Sequence, residues 1–372
     1  MINDKPLVSI ILGTRPEAIK LAPLILSFKE CKKVKTRIIL TGQHKEIVLK
    51  VMDLFSLKAD NNLDLMKENQ SLIDISSAIL NGLKEEFSNF KPDLVLVQGD
   101  TSSAFISALA AFYEKIPIGH VEAGLRTENI YNPFPEEGNR RLISQIATLH
   151  FCPTQNSKEN LLKSGISKNV FLTGNTVIDS FLYVANRVKS IKNILKIDCD
   201  SFRIILITVH RRENWGDNLY KIALGIKKLL DKHKDCLVIF PLHPNKIVRD
   251  VFLNSLKDSS QVLLIEPLQY DELVFVIKKC YFLITDSGGL QEEAPSLGKP
   301  VLVVRENTER PEAISAGTAK LVGTDPVNIF NEADKLLSNE GIYKKMSKAI
   351  NPFGDGKASG RILSSCCDFL NV

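Results

Sequence analysis

Tyr281-Phe-Leu-Ile-Thr-Asp-Ser-Gly-Gly-Leu-Gln-Glu-Glu-Ala-Pro-Ser-Leu-Gly-Lys-Pro-Val-Leu-Val-Val304 reads as a buried strand, a Ser-Gly-Gly turn, a helix and a second buried strand. A turn of small residues that opens a helix leaves several backbone N–H groups unpaired and directed at one spot. The helix dipole adds partial positive charge there. Phosphate is the usual anion of such a place. Glu292 and Glu293 follow one turn later. A carboxylate at that distance suits the two hydroxyls of a ribose, so the segment points to a nucleoside diphosphate. An ordinary strand–turn–helix with a Gly turn explains the same letters, and the rest of the chain has to decide.

The chain has 372 residues, is 44% hydrophobic and carries a net charge of +5. That length supports about two domains, each with a full core. The mild positive excess suits an anionic small molecule. No Lys/Arg-dense stripe with interleaved aromatics is present, so nucleic acid is not the expected partner. The seven cysteines are scattered and show no paired metal spacing. This usage fits a reducing cytoplasm and argues against a disulfide framework. The apolar run near the N-terminus is too short for a signal peptide or a membrane span.

Short Val/Ile/Leu runs recur along the chain, each followed by a polar turn and a longer segment of helical period. That alternation predicts parallel strands covered by helices on both faces. The first set is Leu7–Leu12, Thr36–Leu40, Leu94–Val97, Pro117–His120, His150–Cys152 and Val170–Thr173. The second is Arg203–Val209, Cys236–Pro241, Val262–Glu266, Phe282–Thr285, Val301–Val304 and Lys320–Val322. Two comparable sets predict an α/β chain of two doubly wound, Rossmann-like domains. The expected division is 1–180, 181–350 and a tail helix over 351–372 that packs back on the first domain, with the seam near Asp179–Ser201.

Ligands of open parallel sheets bind beyond the carboxyl ends of the strands. The first strand ends in Gly13-Thr-Arg-Pro-Glu-Ala-Ile-Lys20. Pro16 suits the first turn of a helix, which puts Arg15 at a helix N-terminus with Lys20 one turn on. Later ends carry Asp100 in Gln98-Gly-Asp-Thr, Glu122 in His120-Val-Glu-Ala-Gly, and Glu136 in Pro135-Glu-Glu-Gly-Asn-Arg140. Carboxylates gathered in this way divide acid and base roles when their surroundings push their pKa values apart. Singly, each is better explained as a helix cap or an ion-pair partner; together, at successive strand ends, they favour function. His210 follows the first strand of the second set inside a dense polar run and is a candidate proton carrier or phosphate contact. No metal-ligand spacing and no cofactor motif occurs; Gly-x-Gly-x-x-Gly after the first strand and the P-loop pattern are both absent. The pattern leaves room for magnesium held by one carboxylate and phosphates.

Together these motifs resemble the bacterial non-hydrolysing UDP-N-acetylglucosamine 2-epimerases. The resemblance runs through Gly13–Lys20, Thr41-Gly-Gln-His44, Gly99-Asp-Thr101, His120–Thr127, Pro135–Arg140, Thr173-Gly-Asn-Thr-Val-Ile-Asp179, His210-Arg-Arg-Glu-Asn214, Thr285–Val301 and Glu309-Arg-Pro-Glu-Ala313, in order over nearly the whole chain. It implies a GT-B fold with the active site in a cleft between the two domains. It also implies elimination of UDP to 2-acetamidoglucal and re-addition on the opposite face, which yields UDP-N-acetylmannosamine for surface polysaccharide. Position by position, Asp100, Glu122, Glu136 and His210 match the catalytic motifs. Arg15, Lys20, Ser287, Gly288 and Gly289 match the diphosphate site, Glu293 the ribose contact and Arg310 a sugar or phosphate contact.

The resemblance further implies a cytoplasmic homodimer with no cofactor. A second UDP-N-acetylglucosamine acts as activator in many members, and Gln43, Gln70, Glu136, Arg211 and His243 match its motif. Glu46 and Asn69 stand where Gln and Arg are expected, so that dependence should be weakened. Three other functions fit the same residues less well: an epimerase of a modified UDP-sugar or one that releases free N-acetylmannosamine, a GT-B glycosyltransferase, and a UDP-sugar sensor without turnover.

Overall fold

A computed structural model of the protein describes residues 5–42, 45–65, 70–189 and 201–372. Its first sheet contains β1 (Leu7–Leu12), β2 (Lys35–Leu40), β3 (Asn61–Asn62), β4 (Leu94–Gln98), β5 (Ile118–Val121), β6 (Leu149–Cys152) and β7 (Val170–Leu172). The second contains β8 (Arg203–Thr208), β9 (Cys236–Pro241), β10 (Val262–Ile265), β11 (Phe282–Thr285), β12 (Val301–Val303) and β13 (Ala319–Leu321). All strand pairs are parallel, in the orders 3-2-1-4-5-6-7 and 10-9-8-11-12-13. Each expected strand is present with its ends within one residue. β3 was not expected: two asparagines at a sheet edge carry no apolar run to reveal them.

The strands are apolar without alternation because helices cover both faces. In the first sheet Ile11, Val95, Val97 and Ile118 pack with Ile79, Leu83 and Phe87. In the second, Ile205, Ile207, Val238 and Phe240 pack with Leu219, Ile226 and Phe252. The chain forms two compact units, Met1–Ser180 with Gly354–Val372, and Phe181–Phe353. Among the described residues no helix is long and apolar enough to cross a membrane.

Each sheet has one place where the strand order reverses: between β1 and β4, and between β8 and β11. Helices leave neighbouring strands there towards opposite faces, so the strand ends open into a crevice. Gly13–Arg15 follows β1 and Gly99–Thr101 follows β4, while Val209–Arg211 follows β8 and Asp286–Gly289 follows β11. The sequence motifs therefore fall at the two switch points.

His120 and His150 stand opposite each other on β5 and β6. The His120 Nε2 hydrogen bonds to the Gly99 carbonyl at 2.7 Å, directly before Asp100. Burial pushes both imidazoles down to about 4 from an ordinary 6.5. Both are therefore neutral in the fold and take up protons on unfolding. Their contribution to stability is complete above about 6.5 and is lost as pH falls towards 4. The expected slope is about 1.4 kcal/mol per pH unit for each histidine. Urea melts at pH 7 and pH 5 should show a large fall in midpoint for the wild type and a smaller one for His150→Gln. An equal fall in both would remove these histidines from the acid response.

Candidate active site

The loop after β1 is set by close packing and one buried carboxylate. A Cβ at Gly13 would stand 2.2 Å from Thr41 Oγ1 and 2.4 Å from Ser103 Oγ, so only glycine fits. Thr14 is extended and caps the helix Arg15–Glu30, which leaves Arg15 at its first position with Pro16 next. Glu17 folds back and accepts the N–H groups of Gly13 (2.8 Å) and Thr14 (2.6 Å). Thr101, in the loop after β4, donates its hydroxyl to the other Glu17 oxygen at 2.5 Å. One carboxylate thus ties together the two loops of the switch point. Burial raises its pKa against the pull of these donors. The sequence motif contains Glu17, but only a contact 84 positions away shows its task.

Glu122, just after β5, is the centre of the first unit's polar cluster. It is 8% exposed, and its backbone is left-handed at φ +66°. A non-glycine residue holds that conformation only where surrounding contacts over-determine it. Lys20 Nζ lies 2.6 Å from both Glu122 oxygens, Gln98 donates to Oε2, and Asn175 Nδ2 reaches Oε1 at 3.4 Å. Lys20, expected at the phosphate site, is here the counter-ion of Glu122. Gln98 and Asn175 complete the cluster and were not singled out by sequence reasoning.

Asp100 sits at the next loop, held by Arg140 Nε at 2.7 Å and Nη2 at 2.6 Å. Asn139 Nδ2 donates to the Asp100 carbonyl at 2.8 Å. Glu136 begins the same helix, Glu136–Ile146, one turn before Arg140, and so shares the helix face that meets Asp100. Its Oε2 is buried with no hydrogen-bond partner among the described residues. Glu137 has a different task. It is fully buried and anchors Arg140, Arg141 and the Thr127 N–H. Asp100 and Glu122 are thus paired with cations, whereas Glu136 presents a carboxylate oxygen that lacks a donor among the described residues.

In the second unit Asp286, fully buried after β11, organises the loop after β8. It accepts the N–H groups of His210 (2.9 Å) and Arg211 (2.8 Å) and the Asn214 amide (3.0 Å). The His210 Nδ1 lies 3.3 Å from its other oxygen, and the His210 ring stacks on His243 at 5.7 Å. Burial holds the His210 imidazole below the usual histidine range against the attraction of Asp286. Asp286 stood in the quoted segment, but nothing in the letters marked it as the loop's anchor.

The Ser-Gly-Gly turn opens the helix Gly288–Glu293, and a short 3-10 turn, Ala294–Leu297, continues it. A Cβ at Gly288 would lie 3.8 Å from Arg211 Nη2 and 3.9 Å from Arg310 Nη2. Two guanidinium groups therefore flank the turn that also presents backbone N–H groups, an arrangement suited to phosphate oxygens. Glu292 pairs with Arg310. Glu293 accepts the Tyr270 hydroxyl at 3.0 Å, and its other oxygen stands about 4.0 Å from the Cβ position of Gly289. Glu293, the expected ribose contact, points towards the turn, and Glu292 secures an arginine.

Gln70 bonds to the Leu65 carbonyl at 3.2 Å. Glu46 is exposed on the helix Lys45–Leu54. Gln43 and Asn69 lie outside the described residues. Among those described, no three His, Cys, Asp or Glu side chains are grouped to hold a metal ion.

Removing the Glu17 carboxylate leaves two buried N–H groups without acceptors, each costing about 1–3 kcal/mol. Glu17→Ala should lower the melting temperature and reduce turnover at least about tenfold, the scale of a misplaced positioning loop. Glu17→Gln should recover most of the stability. Thermal melts and steady-state kinetics check this; wild-type turnover in Glu17→Ala would free the loop from Glu17.

The profile of the UDP-N-acetylglucosamine 2-epimerase family matches residues 27–366. A UDP-N-acetylglucosamine 2-epimerase of Campylobacter jejuni is 47% identical over 369 residues, covering 96% of this chain and 96% of the relative. One from Escherichia coli K12 is 44% identical over 364 residues, covering 95% and 96%. The crystal structure of the Neisseria meningitidis enzyme bound to UDP-GlcNAc aligns at a TM-score of 0.85 and 46% identity, covering 97% of this chain and 100% of that one. With two Rossmann-like units, motifs at both switch points and relatives matched from end to end, this chain belongs to the UDP-N-acetylglucosamine 2-epimerase family.

Proposed function

We propose that this chain interconverts UDP-N-acetylglucosamine and UDP-N-acetylmannosamine by taking the proton from sugar carbon 2 and returning one to the opposite face. The observation that carries the reading is the cluster at the first switch point: Glu122 held by Lys20 and Gln98, Asp100 held by Arg140, and Glu136 with a buried oxygen that has no partner among the described residues. A protein that only bound a UDP-sugar has no need of three carboxylates there.

The hydrogen on carbon 2 is not next to a carbonyl, so a carboxylate cannot remove it directly. Departure of UDP from carbon 1 makes the ring cation-like and acidifies that hydrogen. The product is 2-acetamidoglucal with UDP retained, and UDP then adds back. In this scheme Arg211, Arg310 and the N–H groups of Ser287, Gly288 and Gly289 stabilise charge on the leaving diphosphate. Arg15, at a helix N-terminus, adds a further cation in the first unit. Glu293 takes the ribose. Asp100, Glu122 and Glu136 provide the proton donor and acceptor. The His210 imidazole, neutral at physiological pH, is available to exchange a proton with the leaving group.

The family resemblance supports a cytoplasmic homodimer serving surface-polysaccharide synthesis. Exposed Phe112 and Tyr113 at the end of one helix offer apolar area for a two-fold interface. A second UDP-N-acetylglucosamine is the proposed activator, with Gln43, Gln70, Arg211 and His243 as its contacts. Because Arg211 also flanks Gly288, the activator and the leaving diphosphate would bias one guanidinium.

In heavy water, proton NMR should show UDP-N-acetylmannosamine forming with deuterium at carbon 2. Epimer that keeps its original hydrogen would contradict proton exchange with solvent. Asp100→Asn, Glu122→Gln and Glu136→Gln should each lower turnover by about two orders of magnitude while retaining UDP binding. Joint loss of UDP binding and thermal stability in all three would make these residues structural.

A further inference from the structure

We propose that Thr308 and Gln291 are positioning residues for the diphosphate: a relay of three hydrogen bonds joins the Arg310 backbone to the Ser287-Gly-Gly turn and holds guanidinium and turn in one register. The proposal rests on the reading of Arg310 as a diphosphate contact. All of the residues concerned lie in the second unit. Neither Thr308 nor Gln291 is among the expected site residues. Gln291 is one letter of the helix after the turn, and Thr308 stands two positions before Arg310.

The relay has a defined direction. The Arg310 N–H donates to Thr308 Oγ1 at 3.1 Å. The Thr308 hydroxyl donates to Gln291 Oε1 at 2.6 Å. Gln291 Nε2 donates to the Ser287 carbonyl at 3.2 Å. A hydroxyl accepts and donates at once, and so does a side-chain amide. Gln291 is fully buried, where an amide without partners is costly. The reverse placing of the amide would set its oxygen against the Ser287 carbonyl. The two bonds of Gln291 therefore fix which way it faces and where the Thr308 hydroxyl points.

The same short helix holds the other end of the arginine. Glu292, the residue after Gln291 and 4% exposed, accepts a hydrogen bond from Arg310 Nε. The Arg310 Nη2 stands 3.9 Å from the position a Cβ would take at Gly288. Arg310 is thus fixed at its backbone through Thr308 and at its guanidinium through Glu292. A side chain held at both ends has little rotamer freedom left to lose when a ligand arrives. The relay adds what the ion pair does not supply: it ties the backbone of the loop after β12 to the carbonyl of the residue that starts the turn. A local role for Thr308, closing the bend ahead of the helix Pro311–Ser315, needs the bond to Arg310 but not the bond to Gln291.

The test is a ligand-observed NMR titration of the full-length protein with UDP and with uridine, which lacks both phosphates. Arg310→Ala should weaken UDP at least about tenfold, the scale of a charge-assisted hydrogen bond, and leave uridine within about twofold. Thr308→Val, which exchanges the hydroxyl for a methyl, should weaken UDP about fivefold to tenfold and spare uridine. Thr308→Ser, which keeps the hydroxyl, should bind UDP as the wild type does. In the Arg310→Ala background, Thr308→Val should cost nothing further. Thr308→Ala gives the same readout if the valine variant fails to fold. Equal losses for UDP and uridine in Thr308→Val, or losses that add in the double variant, would overturn the proposal. UDP affinity kept in Thr308→Val but lost in Arg310→Ala would overturn the relay and leave the diphosphate reading standing. UDP affinity kept in Arg310→Ala would remove that reading and the proposal with it.

Discussion

The first unit depends on the ion pair between Lys20 and Glu122. Four chain segments meet at that one carboxylate: Lys20 from the helix after β1, Gln98 from the end of β4, Glu122 itself after β5, and Asn175 beyond β7. The pair is largely shielded, with side-chain exposures of 19% for Lys20 and 6% for Glu122. A shielded ion pair gains little over a well-packed apolar pair, yet breaking it from one side costs about 3–5 kcal/mol. The left-handed backbone at Glu122 adds about 1–2 kcal/mol of strain. Fold stability alone does not explain why a carboxylate is kept there. The proposed role in proton transfer gives a reason to keep it, because a matched cation and amide hold its geometry.

The second unit repeats the device with a different outcome. Asp286 is also a buried carboxylate at a switch point, but its donors are backbone N–H groups and an amide rather than an ammonium group. Its oxygens are occupied by the loop they shape, so its task is to hold His210 and Arg211 in place. The same strand order thus provides a cluster of carboxylates in one unit and a cation-flanked turn at Gly288 in the other. Each sits where its sheet opens, which is the common physical reason why both loops carry polar residues.

Much of this was legible before any coordinates. Continuous Val/Ile/Leu runs marked the strands because parallel strands are buried on both faces, and the Ser-Gly-Gly letters marked the turn that opens the helix after β11. Asp100, Glu122 and Glu136 were legible as strand-end acids, although not which partner each would have. Lys20 shows the limit: its charge was legible, but its pairing with Glu122, 102 positions away, was not. Glu17 and Asp286 escaped for the same reason. A buried carboxylate that accepts N–H groups from a loop looks, in sequence, like any other polar residue beside a strand. β3 escaped because pairing with β2 over two asparagines leaves no pattern.

The central claim is that the Glu122 carboxylate is kept for chemistry and that Lys20 positions it. The most direct measurement is a double-mutant cycle with Lys20→Met and Glu122→Gln, following urea stability and epimer formation on the same samples. Lys20→Met alone should be clearly destabilised because it strands a shielded charge. The double variant should return close to wild-type stability while its turnover remains down by about two orders of magnitude. A double variant that regains both stability and turnover would show that the pair serves only the fold and would contradict this account.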